Sequence, residues 1–280
     1  MEENTNAREY AIGVFDSGMG GLTTVKELNE SLPCENILYF GDTARIPYGS
    51  RSAKTVMRYA REDAAFLRTH DVKMIIAACG TVSSVVGDKP FITDMPFTGV
   101  VLPASYAAVA TTRNGKVGII GTSATVRSGS YEAEIAKLDP GVTVIAKACP
   151  LFVHLVENGY TDFENPVTRM VAMEYLDPLR QAGIDTLILG CTHYPVIRDI
   201  IADIMGDGVE LISAGAEAAK YARRCLAREN LLTTRTTPGD NTYYVSDSVE
   251  MFMENASHFL GQDVVGKVFP CTVPPESERS

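Results

Sequence analysis

Met74-Ile75-Ile76-Ala77-Ala78 runs into Cys79-Gly80-Thr81, and Leu187-Ile188-Leu189-Gly190 runs into Cys191-Thr192-His193. Each apolar run is short, rich in Ile and Leu and followed by helix-forming sequence. That pattern reads as a fully buried strand leading into a helix. In open α/β sheets, ligands bind at the carboxyl ends of the strands, where both thiols would then sit. Either cysteine alone would read as core, since free Cys is among the most buried residue types. The pair, with Thr81 beyond the first and Thr192 and His193 directly after the second, points to chemistry. Two thiols facing one pocket can take a proton from one side of a carbon and return one from the other.

The same alternation extends outward through the chain. Strands are expected at 11–15, 37–40, 73–78, 97–101, 116–121, 142–146, 185–189 and 242–246. Helices are expected at about 21–31, 52–69, 103–112, 125–137, 165–181, 194–204, 213–228 and 247–260. Strands alternating with helices argue an α/β protein with largely parallel sheets. Two Gly-rich strand-to-helix turns accompany the cysteine turns: Asp16-Ser17-Gly18-Met19-Gly20-Gly21 and Gly121-Thr122-Ser123-Ala124-Thr125. Position 16 precedes Cys79 by 63 residues and position 121 precedes Cys191 by 70, a crude internal symmetry. Two similar α/β domains facing each other across a cleft are expected from it.

Composition narrows the class of function. A chain of 280 residues with 45% hydrophobic and 21% charged side chains can bury a real core. The net charge of −10 disfavours general binding to nucleic acid or to an anionic membrane, though a local pocket can still be positive. Met1 to Tyr10 lacks the basic and apolar regions of a signal peptide, and no apolar run approaches the roughly 20 residues of a membrane span. The six cysteines have no framework or metal-site spacing. A cytoplasmic enzyme with reduced thiols is expected, ending in a frayed Pro-rich tail from Val273.

The Asp16 turn can cradle an anion on backbone N–H groups, with Asp16 as an alternative helix cap. It lacks the G-x-G-x-x-G spacing of a dinucleotide fingerprint and the Gly-Lys-Ser/Thr of a phosphate loop. Gly41 to Gly49 is a polar loop at the same expected sheet edge, where the Tyr48 hydroxyl and the Gly49 N–H suit a carboxylate; Pro-Tyr-Gly is also ordinary turn chemistry. His193, two residues after Cys191, can tune a thiol or pass on a proton. His70, His154 and His258 read as structural, Glu157 as a solvated helix-end acid, and Cys149 as structural.

Taken together, these turns resemble glutamate racemases, the cofactor-independent racemases that supply D-glutamate for peptidoglycan. The segments that carry the resemblance are IGVFDSGMGGLTTVKEL (12–28), YFGDTARIPYGSRS (39–52), VGIIGTSATVRSGSY (117–131), CPLFVHLVENG (149–159) and LGCTHYPVI (189–197). It implies a discontinuous first domain, 1–102 and 213–280, a second domain, 103–212, and an active site between them. By it, Cys79 and Cys191 are the acid/base thiols, assisted by Asp16 and His193, with Glu157 near the second. Asp16, Ser17, Tyr48, Gly49, Gly80, Thr81, Thr192 and His193 fall at positions that hold free glutamate. No cofactor and no metal are implied, and a homodimer is.

One departure stands out: the family usually has Asn after the first thiol, and this chain has Gly80. A side-chain hydrogen bond to the substrate, worth about 0.5–1.5 kcal/mol, would be missing or replaced by water. His154 also stands where Pro is common. The rival readings are an aspartate or other amino-acid racemase of the same family, a non-catalytic binding paralogue, and a hydrolase using Cys191 with His193. The last leaves Cys79 unexplained.

Overall fold

A computed structural model describes residues 7–87, 92, 94–264 and 267–272. The first sheet contains β1 (Ala11–Asp16), β2 (Ile37–Gly41), β3 (Val72–Ala77), β4 (Phe97–Gly99), β9 (Asn241–Val245) and β10 (Val268–Pro270). Its spatial order is β10-β9-β2-β1-β3-β4. The second contains β5 (Lys116–Gly121), β6 (Thr143–Ala148), β7 (Thr186–Leu189) and β8 (Glu210–Ser213), in the order β6-β5-β7-β8. Among the described residues every strand pairing is parallel. Parallel neighbours need long crossovers, and helices supply most of them.

Eleven α-helices are formed among the described residues: α1 (Leu22–Ser31), α2 (Ala53–Leu67), α3 (Gly80–Val86), α4 (Val101–Thr111), α5 (Ser123–Ser128), α6 (Ser130–Leu138), α7 (Leu151–Glu157), α8 (Pro166–Ala182), α9 (Arg198–Met205), α10 (Ala214–Arg228) and α11 (Val249–Leu260). Their ends follow local chemistry. Asn165 caps α8 by accepting from the N–H groups of Val167 and Thr168, Pro166 fills its first turn, and Gly183 ends it at φ 70°.

The period-2 geometry of β1 and β3 divides their side chains between two cores. Ile12, Val14, Met74 and Ile76 pack with Leu22, Val25 and Leu28 of α1. Phe15, Ile75 and Ala77 pack with Val56, Ala60 and Leu67 of α2. Covered on both faces, these central strands must be continuously apolar, as their sequences are. The strand order also reverses direction at two places. From β1 the chain goes to β2 on one side and is flanked by β3 on the other; β5 stands likewise between β6 and β7. Such switch points open a crevice at the carboxyl ends of the strands.

Several expected elements differ in detail. The helix expected at 125–137 is two helices, because Gly129 adopts φ 63° between α5 and α6. The helix expected at 194–204 begins as a 3-10 turn, Tyr194–Ile197, before α9. Strands β8 and β10 and the short helices α3 and α7 were not delimited in the sequence, being three to seven residues long. The tail from Val273 lies outside the described residues. Among the described residues, no helix is long and apolar enough to cross a membrane.

Candidate active site

Asp16 ends β1 and Cys79 follows β3, so the two flank the switch point of the first sheet. Thr122 follows β5 and Cys191 lies just past β7, flanking the switch point of the second. The two edges meet around a cavity of about 460 Å3 lined by both thiols. Ser17, Tyr48, Gly49, Gly80, Thr81, Thr192, His193 and Glu157 also line it, so of the expected site residues only Asp16 lies behind the wall. A larger cleft of about 1030 Å3 contains neither thiol. Chemistry, not volume, selects the smaller one.

The two thiols have unlike partners. The Cys79 thiol, 6% exposed, donates toward Ser17 Oγ at 3.5 Å. Burial, and then the charge of Asp16, push this thiol up to about 12 despite opposing hydrogen bonds from Ser17 and the Val82 N–H. Asp16 is itself 1% exposed. Its Oδ2 accepts from the Gly18 N–H at 2.9 Å, while Oδ1 is buried with no hydrogen-bond partner among the described residues. Burial raises the Asp16 carboxyl above its ordinary range, against the pull of His193. The turn wraps this carboxyl closely: a Cβ on Gly21 would lie 2.6 Å from the Asp16 Cβ.

Cys191 Sγ lies 3.8 Å from Nδ1 of His193, whose Nε2 is 3.0 Å from Glu157 Oε1. Burial works against a charged imidazole here, but the hydrogen bonds to Cys191 and Glu157 outweigh it and lift His193 to about 10. Phe259 of α11 meets the imidazole edge-on at a centroid distance of 5.4 Å. Glu157, the last residue of α7, is therefore no idle surface acid, because the fold of α7 turns it onto the imidazole.

The hydroxyl of Tyr48 does not serve the cavity as the sequence suggested. Tyr48 is 1% exposed, and its O–H donates to Asp42 and, at 3.1 Å, to Asp63. The same loop brings Gly49 to the cavity wall. The space after the first thiol also differs from expectation. A side chain there would meet backbone, because a Cβ on Gly80 would lie 2.1 Å from the Gly190 carbonyl oxygen.

Sequence reasoning missed Thr122, Ser123, Arg127, Val153 and His154 on the cavity wall. Thr122 Oγ1 and Thr81 Oγ1 are 3.0 Å apart, a hydroxyl contact between the two edges. Arg127 is the one Lys or Arg among the described lining residues. Thr122 and Ser123 follow β5 as Ser17 follows β1, and that equivalence was the available signal. His154, read as structural, is reached through α7. No group of three or more His, Cys, Asp or Glu side chains with metal-holding geometry occurs among the described residues.

Residues 12–222 match the sequence profile of the Asp/Glu/Hydantoin racemase family. A glutamate racemase of Geobacter metallireducens is 43% identical over 269 residues, which cover 96% of this chain and 98% of that protein. The crystal structure of a glutamate racemase isoform from Bacillus anthracis is similar with a TM-score of 0.90 at 34% identity, covering 95% of this chain and 99% of that one. A glutamate racemase from Francisella tularensis, solved in complex with D-glutamate, gives 0.86 at 36% identity, covering 96% and 99%.

Proposed function

This chain belongs to the Asp/Glu/Hydantoin racemase family, and from that premise we propose that it interconverts free L- and D-glutamate with two opposed thiols and no cofactor. The observation that carries the reading is the convergence of Cys79 and Cys191, from two different sheets, on one cavity with unlike partners. Burial and the Asp16 charge favour the protonated form of Cys79, and the contacts with Cys191 and Glu157 favour the imidazolium of His193. For one enantiomer, the Cys191 sulfur, beside that cation, takes the α-proton. The electron pair left on the α-carbon then takes the proton of the Cys79 S–H on the opposite face. The other enantiomer runs the same path backwards. To Asp16, whose charge acts on the Cys79 thiol, we assign the relay of the proton that Cys79 gives up or receives.

The α-proton of an amino acid is very weakly acidic, so the residues around the thiols must stabilise a carbanion. Hydroxyls of Ser17, Thr81 and Thr192 and the N–H of Gly49 are donors suited to the substrate's carboxylates. Glu157 holds the imidazole in place and keeps its charge. Each role is supported by position on the cavity wall and by the resemblance.

The wider reading has the enzyme supplying D-glutamate for peptidoglycan in the cytoplasm, as a homodimer. What supports the division into 1–102 with 213–280 and 103–212 is the strand content: the strands of each sheet fall within one of these parts, save that β8 ends at Ser213. The test of the activity is direct. Purified protein, dialysed against a chelator, is given L-glutamate and followed by circular dichroism, with L-aspartate in parallel. Loss of optical activity with glutamate supports the reading. No change with glutamate would sink it, and racemisation of aspartate alone would reassign the substrate.

A further inference from the structure

Gly80 stands where the two thiol-bearing turns touch. A Cβ added there would lie 2.1 Å from the Gly190 oxygen, 3.2 Å from the Gly190 carbonyl carbon and 3.8 Å from Cys191 Cα. All three neighbours are backbone, so no change of rotamer relieves the overlap. Neither turn is free to yield alone. The Gly190 N–H donates to the Ile120 carbonyl at 2.8 Å, which ties the second turn to β5. The first turn is tied by Ser83, whose N–H donates to the Cys79 carbonyl at 2.9 Å and whose Oγ donates to the Ala77 carbonyl at 2.9 Å. The overlap therefore relaxes by moving one sheet edge away from the other.

A second contact lies on the same seam. The Thr81 and Thr122 hydroxyls, 3.0 Å apart, join the residue after Gly80 to the cap of α5. Gly80 does not sit in the left-handed backbone region that favours glycine, so what the position requires is space rather than conformation.

We infer that Gly80 is a positioning residue that fixes the separation of Cys79 and Cys191 through backbone contact with Gly190. The inference rests on the two-thiol reading above. It explains why this chain carries no side chain after its first thiol: the place of that side chain is taken by the opposite turn. Inversion needs both sulfurs within reach of one α-carbon, whereas exchange on a single face needs only one. A sulfur that takes the α-proton, trades it for a deuteron of the solvent and returns the deuteron to the same face gives labelled substrate without inversion. A spread pair of turns therefore loses inversion before it loses exchange.

The experiment compares wild-type protein with Gly80→Ala and Gly80→Asn in deuterium oxide, reading inversion by circular dichroism and α-deuteration of unconverted substrate by NMR. Cooperative thermal melting is expected in both variants, because the clash is relieved by opening and not by unfolding. Inversion is expected to fall by about 100-fold in Gly80→Asn and by about tenfold in Gly80→Ala, as for an approximately 1 Å misplacement of reacting groups. Deuteration of unconverted substrate, almost absent in wild-type protein early in turnover, is expected to appear in the variants, so the ratio of exchange to inversion rises. Loss of inversion with no deuteration of unconverted substrate, unchanged inversion in Gly80→Asn, or variants that do not melt cooperatively would overturn the assignment of Gly80 alone. Wild-type protein without inversion would overturn the racemase reading and this inference with it.

Discussion

At the scale of single residues, two identical side chains have unlike neighbours. Burial, and then the charge of Asp16, favour the proton on Cys79; Cys191 faces an imidazole whose charged form is favoured by its contacts with Cys191 and Glu157. The sign of the His193 shift sets a pH window. Its folded value of about 10 lies above the ordinary 6.5, so the stabilisation from its protonated form is fully present below 6.5 and is lost as pH rises through about 10. Glu157→Gln removes one of the two partners that outweigh burial. The alkaline limit of kcat/KM is then expected to move toward neutrality, with a loss of about tenfold at about pH 9 and a smaller one at pH 7. A pH–rate profile for both proteins checks this. An unchanged alkaline limb would remove Glu157 from its role as holder of the charge.

At the scale of elements, the loop between β2 and α2 is anchored from below as well as by its own turns. Arg45 reaches Asp42 through Nε at 2.5 Å, Asp63 through Nη2 at 2.7 Å, and Glu62 through Nη1. Its guanidinium lies 4.2 Å from the Tyr59 ring centroid. Burial, and then the neighbouring Asp42, push the Asp63 carboxyl well above its ordinary range. Without the cation these acids would be buried together uncompensated. Arg45→Gln is expected to destabilise the fold by about 3–5 kcal/mol in urea unfolding and to raise KM for glutamate more than it lowers kcat, because Gly49 rides on the same loop. An unfolding midpoint like that of the wild type would contradict it. This anchor also marks where sequence reading stopped. The strand ends and their thiols were legible because continuous apolar runs must be covered on both faces. The fate of the Tyr48 hydroxyl was not, because Glu62 and Asp63 come under the loop only once α2 packs against the first sheet. The break at Gly129 was equally hidden, since a single glycine within a helical pattern does not announce a left-handed turn.

At the scale of the molecule, one device is used twice. A central strand, β1 or β5, has its successor on one side and a thiol-bearing strand end on the other, and each arrangement opens a crevice at its carboxyl edge. The two crevices bring two thiols, one from each sheet, to one cavity. Contacts across the seam, such as Thr23 Oγ1 donating to the Thr192 carbonyl at 2.9 Å, hold the two edges in register. The central claim is that each face of the α-carbon has its own sulfur. It is tested by the position of deuterium in the first few per cent of turnover of L-glutamate in deuterium oxide. Two opposed thiols predict deuterium at the α-carbon of the D-glutamate formed and almost none in the L-glutamate that remains. Equal labelling of product and remaining substrate from the start would show one base serving both faces, and would contradict the two-thiol arrangement.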